Sequence, residues 1–449
     1  MERLITKEII KWKNDRDNFP LFILGARQIG KTFIVKEFAK NTYKNKYIYI
    51  NFMDKDKYFD YLNGETNPEK ILNIIEGISN QKINENWLLI FDEIQEIPSL
   101  KTSLKIFVDK NIKIKIICLG SYLGNSLNDK NSFPVGKIKT LNMFPLNFEE
   151  FLMAKNRKDL IEYIKNLLTH KNEVDDIKHE LLMDLLYEFW FVGGMPKVLD
   201  TYLKKNDLSI CNEIKRELIN GYKNDIIKYV EGNSNKLKSQ SIYEKIPFFL
   251  AKQNKKFKLA QIDSNARYLT YEDAIQSLLI TKIIYKINNL NSFNVPLKLN
   301  KKESEFKIYY NDCGFISTIF NLNKELFLKN EEGYSNIKGA IAENFILSEL
   351  MQKINDQNLA YYSFRDKNKN NYEIDFVIEN SNGNLVPIEV KSGKTIKTKS
   401  INKLIEIENK KIKKSIIVSA KNLKIINNDL IIPLYAIGFL DIFDNRLKD

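Results

Sequence analysis

Residues 20–32 read PLFILGARQIGKT, and this stretch decides the fold of the first part of the chain. An apolar run at Pro20–Leu24 precedes the eight residues Gly25-Ala26-Arg27-Gln28-Ile29-Gly30-Lys31-Thr32, and helical spacing begins at Thr32. The eight residues fit the pattern G-x-x-x-x-G-K-[ST], in which glycines let backbone N–H groups surround phosphates at a helix N-terminus. The pattern therefore predicts a strand, a phosphate-binding loop and a helix.

This loop is predicted to bind ATP and Mg²⁺. Lys31 is expected to contact the β- and γ-phosphates, and the Thr32 hydroxyl is expected to bind the metal. The other loop residues predicted to contact the nucleotide are Gly25, Arg27, Gln28, Ile29 and Gly30. The alternative is a glycine loop that matches the pattern by chance. Its position between an apolar strand and a helix favours nucleotide binding.

Acidic and hydroxyl side chains follow two further predicted strands. Asp92 comes after the apolar residues Leu88–Phe91 and is predicted to bind the nucleotide-bound metal. Glu93 is predicted to activate the attacking water, as a carboxylate can where histidine is scarce. The strand Lys115–Leu119 leads to Ser121, which is predicted to contact the γ-phosphate or that water. Solvated acids and an ordinary strand exit are the alternatives.

Composition excludes several classes of protein and site. The chain has 449 residues, of which 43% are hydrophobic, and this length suggests about three domains. Three widely separated cysteines match no disulfide or zinc pattern, and two histidines argue against Ser-His-Asp catalysis. Neither a signal-peptide core nor a membrane-length apolar run is found, so we expect a cytoplasmic protein without a membrane partner. The net charge of +13 allows an anionic partner such as DNA.

Changes in periodicity divide the chain into four predicted domains. They are a P-loop core (1–150), a helical lid or extension (151–235), a winged-helix-like module (236–310) and a C-terminal domain (311–449). In the core, strands alternate with helices, which predicts an α/β fold with a doubly wound parallel sheet. Lysines at 245–258 in the third domain would contact phosphates, or else form a solvated face.

Ionisable side chains gather on the predicted strands and helices of the C-terminal domain. Glu343 lies on a helix and Asp375 on an apolar strand, while Glu389 and Lys391 share one face of the next strand. Such carboxylates can bind one or two Mg²⁺ ions, leaving Lys391 to position or activate a water that attacks a phosphodiester. Glu373 shares a strand face with Asp375 and could assist. An ion pair on a solvated sheet edge is the alternative.

In its series of motifs, the chain resembles the uncharacterised prokaryotic AAA-type ATPases that carry a C-terminal domain of unknown function. The motifs are Gly25-Ala26-Arg27-Gln28, Phe91-Asp92-Glu93-Ile94-Gln95, Gly120-Ser121, Phe144-Pro145-Leu146, Glu149-Glu150-Phe151, Gly193-Gly194-Met195-Pro196, Lys255-Lys256-Phe257 and Glu389-Val390-Lys391. This resemblance implies an AAA-type core, a winged helix and a nuclease-like C-terminal domain. Where many relatives carry Gly-Arg, this chain has Gly136-Lys137.

The order of the C-terminal carboxylates also resembles the PD-(D/E)xK nuclease fold. That resemblance implies that Asp375 and Glu389 are metal ligands and that Lys391 is the catalytic lysine. Glu343 would then be the helix carboxylate of the same metal site.

Together these features predict an AAA-type ATPase that hydrolyses Mg·ATP to control a metal-dependent, nuclease-like, DNA-binding domain. The alternative is an ATP-driven signalling or scaffold switch whose C-terminal domain binds nucleic acid or protein without cleavage. The expected ligands are ATP and Mg²⁺, and the expected partner is DNA. A second copy of the chain is a further expected partner, because AAA-type sites often borrow an arginine from a neighbouring subunit.

Overall fold

The computed structural model describes residues 1–120, 136–170, 173–329, 333–354, 356–393, 398–408, 411–412, 414–426 and 429–440. The chain forms two compact units. The N-terminal unit consists of Glu2–Phe144 with Ile280–Lys282. The C-terminal unit consists of Met1, Pro145–Leu279 and Ile283–Asp449.

The N-terminal unit is built on a parallel sheet. Its helices and strands are α1 (Ile5–Asn14), β1 (Leu21–Leu24), α2 (Lys31–Tyr43), β2 (Tyr47–Asn51), α3 (Lys57–Leu62), α4 (Pro68–Ser79), β3 (Leu88–Asp92), α5 (Pro98–Asp109), β4 (Lys115–Gly120) and β5 (Lys139–Asn142). Among the described residues, the strand order is β2-β3-β4-β1-β5 and every pairing is parallel. The predicted α/β fold with a parallel sheet is therefore confirmed.

Burial along these strands explains their order. β1 and β3 are buried at every residue, as expected of inner strands with helices on both faces. β2 alternates, with only Ile48 and Ile50 buried, which suits its place at the edge of the sheet. Ile71 of α4 and Leu104 of α5 belong to the same apolar core as Phe91 of β3. This packing holds β1 and β3 so that both end at the same edge of the sheet.

The C-terminal unit begins with helices and continues into a mixed sheet. Its helices are α6 (Phe148–Ala154), α7 (Lys158–His170), α8 (Asp176–Val192), α9 (Pro196–Lys205), α10 (Leu208–Tyr229), α11 (Asn233–Leu250), α12 (Tyr268–Ile280), α13 (Gly314–Ile319), α14 (Lys324–Leu328), α15 (Tyr334–Met351) and α16 (Lys399–Glu408). Its strands are β6 (Ile284–Leu290), β7 (Lys301–Tyr310), β8 (Leu359–Arg365), β9 (Asn371–Glu379), β10 (Leu385–Lys391), β11 (Ser415–Ser419), β12 (Lys424–Ile426) and β13 (Asp429–Pro433).

One sheet runs through the two segments that the sequence analysis assigned to separate domains. Among the described residues its order is β12-β13-β11-β10-β9-β8-β6-β7. The hairpin β6–β7 joins β8 through the pairing of Asn289 with Tyr361. The Asn289 side chain also donates to Ser363 Oγ and accepts from Ser363 N, both at 2.9 Å. The boundary predicted at residue 310 thus falls inside one compact unit, and the winged helix stays a prediction.

A buried polar network joins three distant motifs of the C-terminal unit. Leu146 N donates to Gly194 O at 2.7 Å, and a Cβ at position 194 would clash with the Leu146 carbonyl oxygen. Asp312 accepts hydrogen bonds from Gly194 N and Gly314 N, both at 2.8 Å. The fully buried Lys215 donates to Gly314 O at 3.1 Å. These contacts give Gly194 a packing role, because only glycine allows so close an approach.

Two features bear on expectations drawn from composition. The cysteines Cys118, Cys211 and Cys313 are buried and form no disulfide. Within the part of the chain that the structure describes, no helix has the length and hydropathy that crossing a lipid bilayer requires.

Candidate functional site

The first candidate site lies in the N-terminal unit, where β1 and β3 end. The loop between β1 and α2 turns sharply, with φ of 63° at Gln28 and 93° at Gly30. Gly25 packs so tightly that a Cβ would clash with the Met143 carbonyl oxygen. The first turn of α2 leaves N–H groups without acceptors inside the helix, which is the arrangement that binds phosphate. The predicted loop residues are therefore brought together around a helix N-terminus.

Arg3 fixes one side of this loop, and the sequence analysis missed it. Its guanidinium donates to Ile29 O at 3.1 Å and to Phe144 O at 2.7 Å, and the side chain is buried. The two hydrogen bonds tie the loop to Phe144, which follows β5. A single arginine outside any motif gives no signal in the sequence, so contact information was needed to find it.

Lys31 lies inside the loop and donates to its carbonyl groups. Its Nζ is 3.0 Å from Gly25 O and 2.8 Å from Ala26 O. Burial lowers the pKa of Lys31 to about 8, although the carboxylates of Glu93 and Asp92 oppose this effect. Hydrogen bonds to charged acceptors are stronger than those to carbonyls, so phosphate oxygens can replace these partners.

Asp92, at the end of β3, collects three hydrogen bonds. Its Oδ2 accepts from Thr32 Oγ1 at 2.7 Å and from Tyr49 OH at 2.8 Å, and its Oδ1 accepts from Glu93 N at 3.0 Å. The predicted pair of Thr32 and Asp92 is thus in direct contact. Burial and the Asp92 charge raise the pKa of Tyr49, which keeps its hydroxyl a donor. Tyr49 was missed, since a tyrosine on an alternating strand carries little signal.

Glu93 begins the turn after β3 and has a left-handed backbone, with φ of 52°. Gln95 Nε2 donates to the Glu93 carboxylate. The other amide atom, Gln95 Oε1, is buried and has no hydrogen-bond partner within the described ranges. Gln95 was not singled out by the sequence analysis as a site residue, yet it is the side chain that orients Glu93.

β4, the strand that leads to Ser121, lies between β1 and β3 and is therefore next to the strand that carries Asp92. Ser121 itself lies outside the described residues, so its contact with the γ-phosphate or water stays a prediction. The half-buried Arg27 contributes to lowering the pKa of Lys31. Lys137 forms an ion pair with Asp109.

The second candidate site lies in the C-terminal unit, where β7, β9, β10 and α15 supply ionisable side chains. Lys307 of β7 is fully buried. Its Nζ is 3.0 Å from Glu343 Oε1, 2.8 Å from Glu373 Oε1 and 3.9 Å from Asp375 Oδ1. Burial opposes its charge, but Glu343 and Glu373 raise the pKa of Lys307 well above its usual value. One ammonium group therefore lies among three carboxylates.

Glu343 uses both carboxylate oxygens in contacts with its neighbours. Oε1 accepts from Lys307 Nζ and from Tyr309 OH, and Oε2 accepts from Lys255 Nζ. Burial by itself would raise the pKa of Glu343, but Lys255 and Lys307 lower it to about 2. Lys307, Tyr309 and Lys255 were not assigned to this site from the sequence. The available signal was a lysine inside the apolar end of β7.

Asp375, Glu389 and Lys391 lie together on β9 and β10. Asp375 Oδ2 accepts from Val390 N at 2.8 Å, and Lys391 Nζ is 2.5 Å from Glu389 Oε1. Glu389 Oε2 is buried and has no hydrogen-bond partner among the residues the structure describes. Burial and the Asp375 charge raise the pKa of Glu389 to about 8. The structure thus brings these predicted residues together, in company with a lysine that was not predicted.

The observed contacts do not fit the predicted metal ligand set of Glu343, Asp375 and Glu389. In the described part of the chain, no group of three or more His, Cys, Asp or Glu side chains is arranged to hold a metal ion. The physical reason is that Lys255 and Lys307 already occupy Glu343, and lysine ammonium groups compensate the charge that a metal would otherwise have to balance.

The predicted basic surface is divided between this site and solvent. Lys256 Nζ donates to Ser363 Oγ at 2.9 Å and to Glu305 Oε2 at 3.4 Å. Lys252 and Lys258 are exposed. With Lys255 bound to Glu343, half of the four lysines at positions 252–258 face carboxylates and the others face solvent.

Family models match three parts of the chain. The model described as "AAA domain" matches residues 17–152, which include Lys31, Asp92 and Glu93. Residues 17–152 are an AAA-type domain. Residues 183–326 match "Domain of unknown function (DUF8612)", and residues 338–437 match "Domain of unknown function (DUF4143)". The nuclease-like assignment of the C-terminal domain stays a prediction.

A relative of similar length is the "Uncharacterized protein MJ1544" of Methanocaldococcus jannaschii. It is 27% identical over 399 residues, which cover 84% of this chain and 76% of the relative. Among solved structures, AMPPCP-bound DnaA from Aquifex aeolicus is 16% identical, with 61% of this chain and 86% of that chain covered and a TM-score of 0.28. Cdc6p from Pyrobaculum aerophilum is 11% identical, with 71% and 92% covered and a TM-score of 0.24.

Proposed function

We propose that the AAA-type domain binds Mg·ATP and hydrolyses it. The observation that carries this proposal is the hydrogen bond from the Thr32 hydroxyl to the Asp92 carboxylate, beside the buried ammonium of Lys31. Lys31 and Thr32 are neighbours in the sequence, whereas Asp92 lies 60 residues after Thr32, and the three side chains meet at the edge of one parallel sheet. A hydroxyl and a carboxylate are the hard oxygen ligands that Mg²⁺ prefers, so the donor set fits this metal.

Nucleotide binding follows from the groups that the loop presents. The N–H groups at the start of α2 hold phosphate oxygens, and Lys31 exchanges the carbonyls of Gly25 and Ala26 for the β- and γ-phosphates. Thr32 and Asp92 would hold Mg²⁺, which when bound neutralises charge on the phosphates. Tyr49 keeps the Asp92 carboxylate in place through its hydrogen bond.

Hydrolysis requires a base that removes a proton from the attacking water. Glu93 follows Asp92 directly, and its carboxylate is held by Gln95. A carboxylate within hydrogen-bond reach of the water can accept this proton. We therefore assign Glu93 as the general base and Gln95 as the residue that positions it.

The substitution Lys31→Ala tests nucleotide binding. It removes the ammonium that meets the β- and γ-phosphates, so we expect ATP affinity to fall by at least about tenfold, the equivalent of one charged hydrogen bond. Affinity is measured by titration with a fluorescent ATP analogue in the presence of Mg²⁺. Lys40→Ala is the matched control, because Lys40 is an exposed lysine of the same helix. Equal affinity in the wild type and Lys31→Ala would contradict the proposal.

We propose a second function for the C-terminal unit, which is DNA binding without cleavage. The position of Lys307 favours this function over metal-dependent cutting, because its ammonium stands among the carboxylates that a catalytic metal would need. The net charge of +13 and the exposed Lys252 and Lys258 supply phosphate-binding groups. Lysine can hold phosphates without selecting a sequence.

Incubation with labelled DNA tests this second function. Linear, branched and single-stranded DNA are mixed with the full chain in Mg²⁺ or Mn²⁺, with and without ATP. We expect retarded complexes that weaken as salt rises, and no shortened products, since phosphate contacts dominate such binding. Products that disappear in Lys391→Ala would instead establish a nuclease. A difference between the ATP and ATP-free samples would show that the nucleotide controls binding.

A further inference from the structure

We infer that the Lys307 ammonium is the resident cation of the C-terminal carboxylate cluster, standing where a divalent metal would otherwise bind and leaving the cluster metal-free. The cluster is defined by Glu343, Glu373, Asp375 and Glu389. This inference rests on the second proposed function and deepens it, because it gives a physical reason for DNA binding without cleavage.

The carboxylates of the cluster carry negative charge that a cation must compensate. Glu343 is fully buried, whereas Asp375 and Glu373 keep 15% and 28% of their side chains exposed. Buried carboxylates are costly unless a cation and hydrogen bonds compensate them. Lys307 supplies that compensation, with Glu343 and Glu373 at hydrogen-bond distance and Asp375 within 4 Å. Two of its N–H donors can bond to Glu343 and Glu373, and Asp375 lies beyond hydrogen-bond distance but adds to the negative charge around the ammonium.

The Lys307 ammonium lies at the place where a metal bound by the same carboxylates would have to lie. Lys307 enters from β7, whereas its carboxylate partners come from α15 and β9. An ion bound by those same carboxylates would have to lie close to Lys307 Nζ. Two cations at that separation repel strongly in a buried site, so the ammonium and a divalent ion exclude each other.

Other groups contact the carboxylate oxygens of Glu343 and Glu389. Lys255 and Tyr309 complete the partners of Glu343. Lys391 holds one oxygen of Glu389, and the other is buried without a partner in the described part of the chain. A metal could therefore use Glu343 only by displacing an ammonium or hydroxyl group that already contacts it.

Removal of the ammonium should convert the cluster into a metal site. The substitution Lys307→Met keeps an unbranched side chain of similar size but deletes the charge. All proteins in the comparison carry Asp92→Asn, which removes the carboxylate of the metal site proposed in the N-terminal unit. Mn²⁺ binding to the full chain without nucleotide is followed by the loss of the free-ion electron paramagnetic resonance signal.

We expect no saturable Mn²⁺ binding by the parent and one bound equivalent in Lys307→Met. Adding Asp375→Asn should abolish the gained binding. Lys286→Met is the matched control, because Lys286 is a buried lysine on β6 that pairs with a single carboxylate, Glu303. It should gain no Mn²⁺.

Two outcomes would overturn the inference. One is a folded Lys307→Met protein, checked by circular dichroism, that gains no Mn²⁺. The other is saturable binding by the parent that Asp375→Asn removes, a comparison that decides the matter even where Lys307→Met does not fold. A parent that binds no Mn²⁺ supports the inference in that comparison.

The same experiment separates this inference from the proposed DNA binding. A parent that binds Mn²⁺ through Asp375 but leaves DNA intact overturns only the inference that Lys307 is the resident cation. A parent that binds no Mn²⁺ but cuts DNA overturns only the second proposed function.

Discussion

Replacement of Glu93 by glutamine is expected to lower the rate of ATP hydrolysis by about 10²–10⁴-fold, the usual contribution of a general base. Glutamine has the same shape but cannot accept the proton of the attacking water. Lys31 and Thr32, which we propose hold the nucleotide and its metal, are unchanged, so ATP binding should persist. Single-turnover hydrolysis measured beside analogue binding separates the two effects.

Two further variants test whether the loss of hydrolysis is specific to Glu93. Glu96→Gln removes a carboxylate from the same turn and should hydrolyse ATP as the wild type does. Gln95→Leu should slow hydrolysis less than Glu93→Gln, because it only releases the orientation of Glu93. Wild-type turnover in Glu93→Gln would mean that another group activates the water.

Replacement of Asp312 by alanine is expected to destabilise the C-terminal unit by about 2–6 kcal/mol, because two buried N–H groups would each be left unsatisfied at a cost of about 1–3 kcal/mol. Asp312 accepts from Gly194 N and Gly314 N, which would lose their acceptor. Lys215 would also lose the carboxylate that supports its charge. Burial already lowers the pKa of Lys215 to about 8, and Asp312 opposes that effect.

Hydrogen exchange followed by mass spectrometry in increasing urea measures this effect for the C-terminal unit by itself. Asp200→Ala is the control, because Asp200 forms an exposed i,i+4 ion pair with Lys204 that should be worth less than about 1 kcal/mol. Adding Lys215→Met to Asp312→Ala should restore part of the loss. Equal stability of Asp312→Ala and the wild type would show that the network is not needed for folding.

The AAA-type domain could be predicted closely because its signals are local. An apolar run before Gly25 and a helical pattern after Thr32 place the loop without any knowledge of distant contacts. The same holds for Asp92, which directly ends a buried strand. In the C-terminal unit the strands that carry Asp375 and Glu389 were also predicted, since each is a short apolar run.

The chemistry of the C-terminal cluster could not be predicted in the same way. Lys307, Tyr309 and Lys255 reach Glu343 only through tertiary contacts, and their own sequence neighbours give no hint of a carboxylate. In a chain with 70 lysines and arginines, one more lysine in a strand carries little information. Arg3 was missed for the same reason, because its hydrogen-bond acceptors, the carbonyl groups of Ile29 and Phe144, are distant from it in the sequence.

The continuity of the sheet from β7 to β12 has a consequence for gene fusion and domain shuffling. A genetic exchange that transferred residues 311–449 alone would leave β8 with an unpaired edge, which invites association with other chains. It would also omit Lys307, so the carboxylates of Glu343 and Asp375 would lack the ammonium group that compensates their charge. We expect the C-terminal unit to be inherited as one piece that begins before α6, whatever domain precedes it.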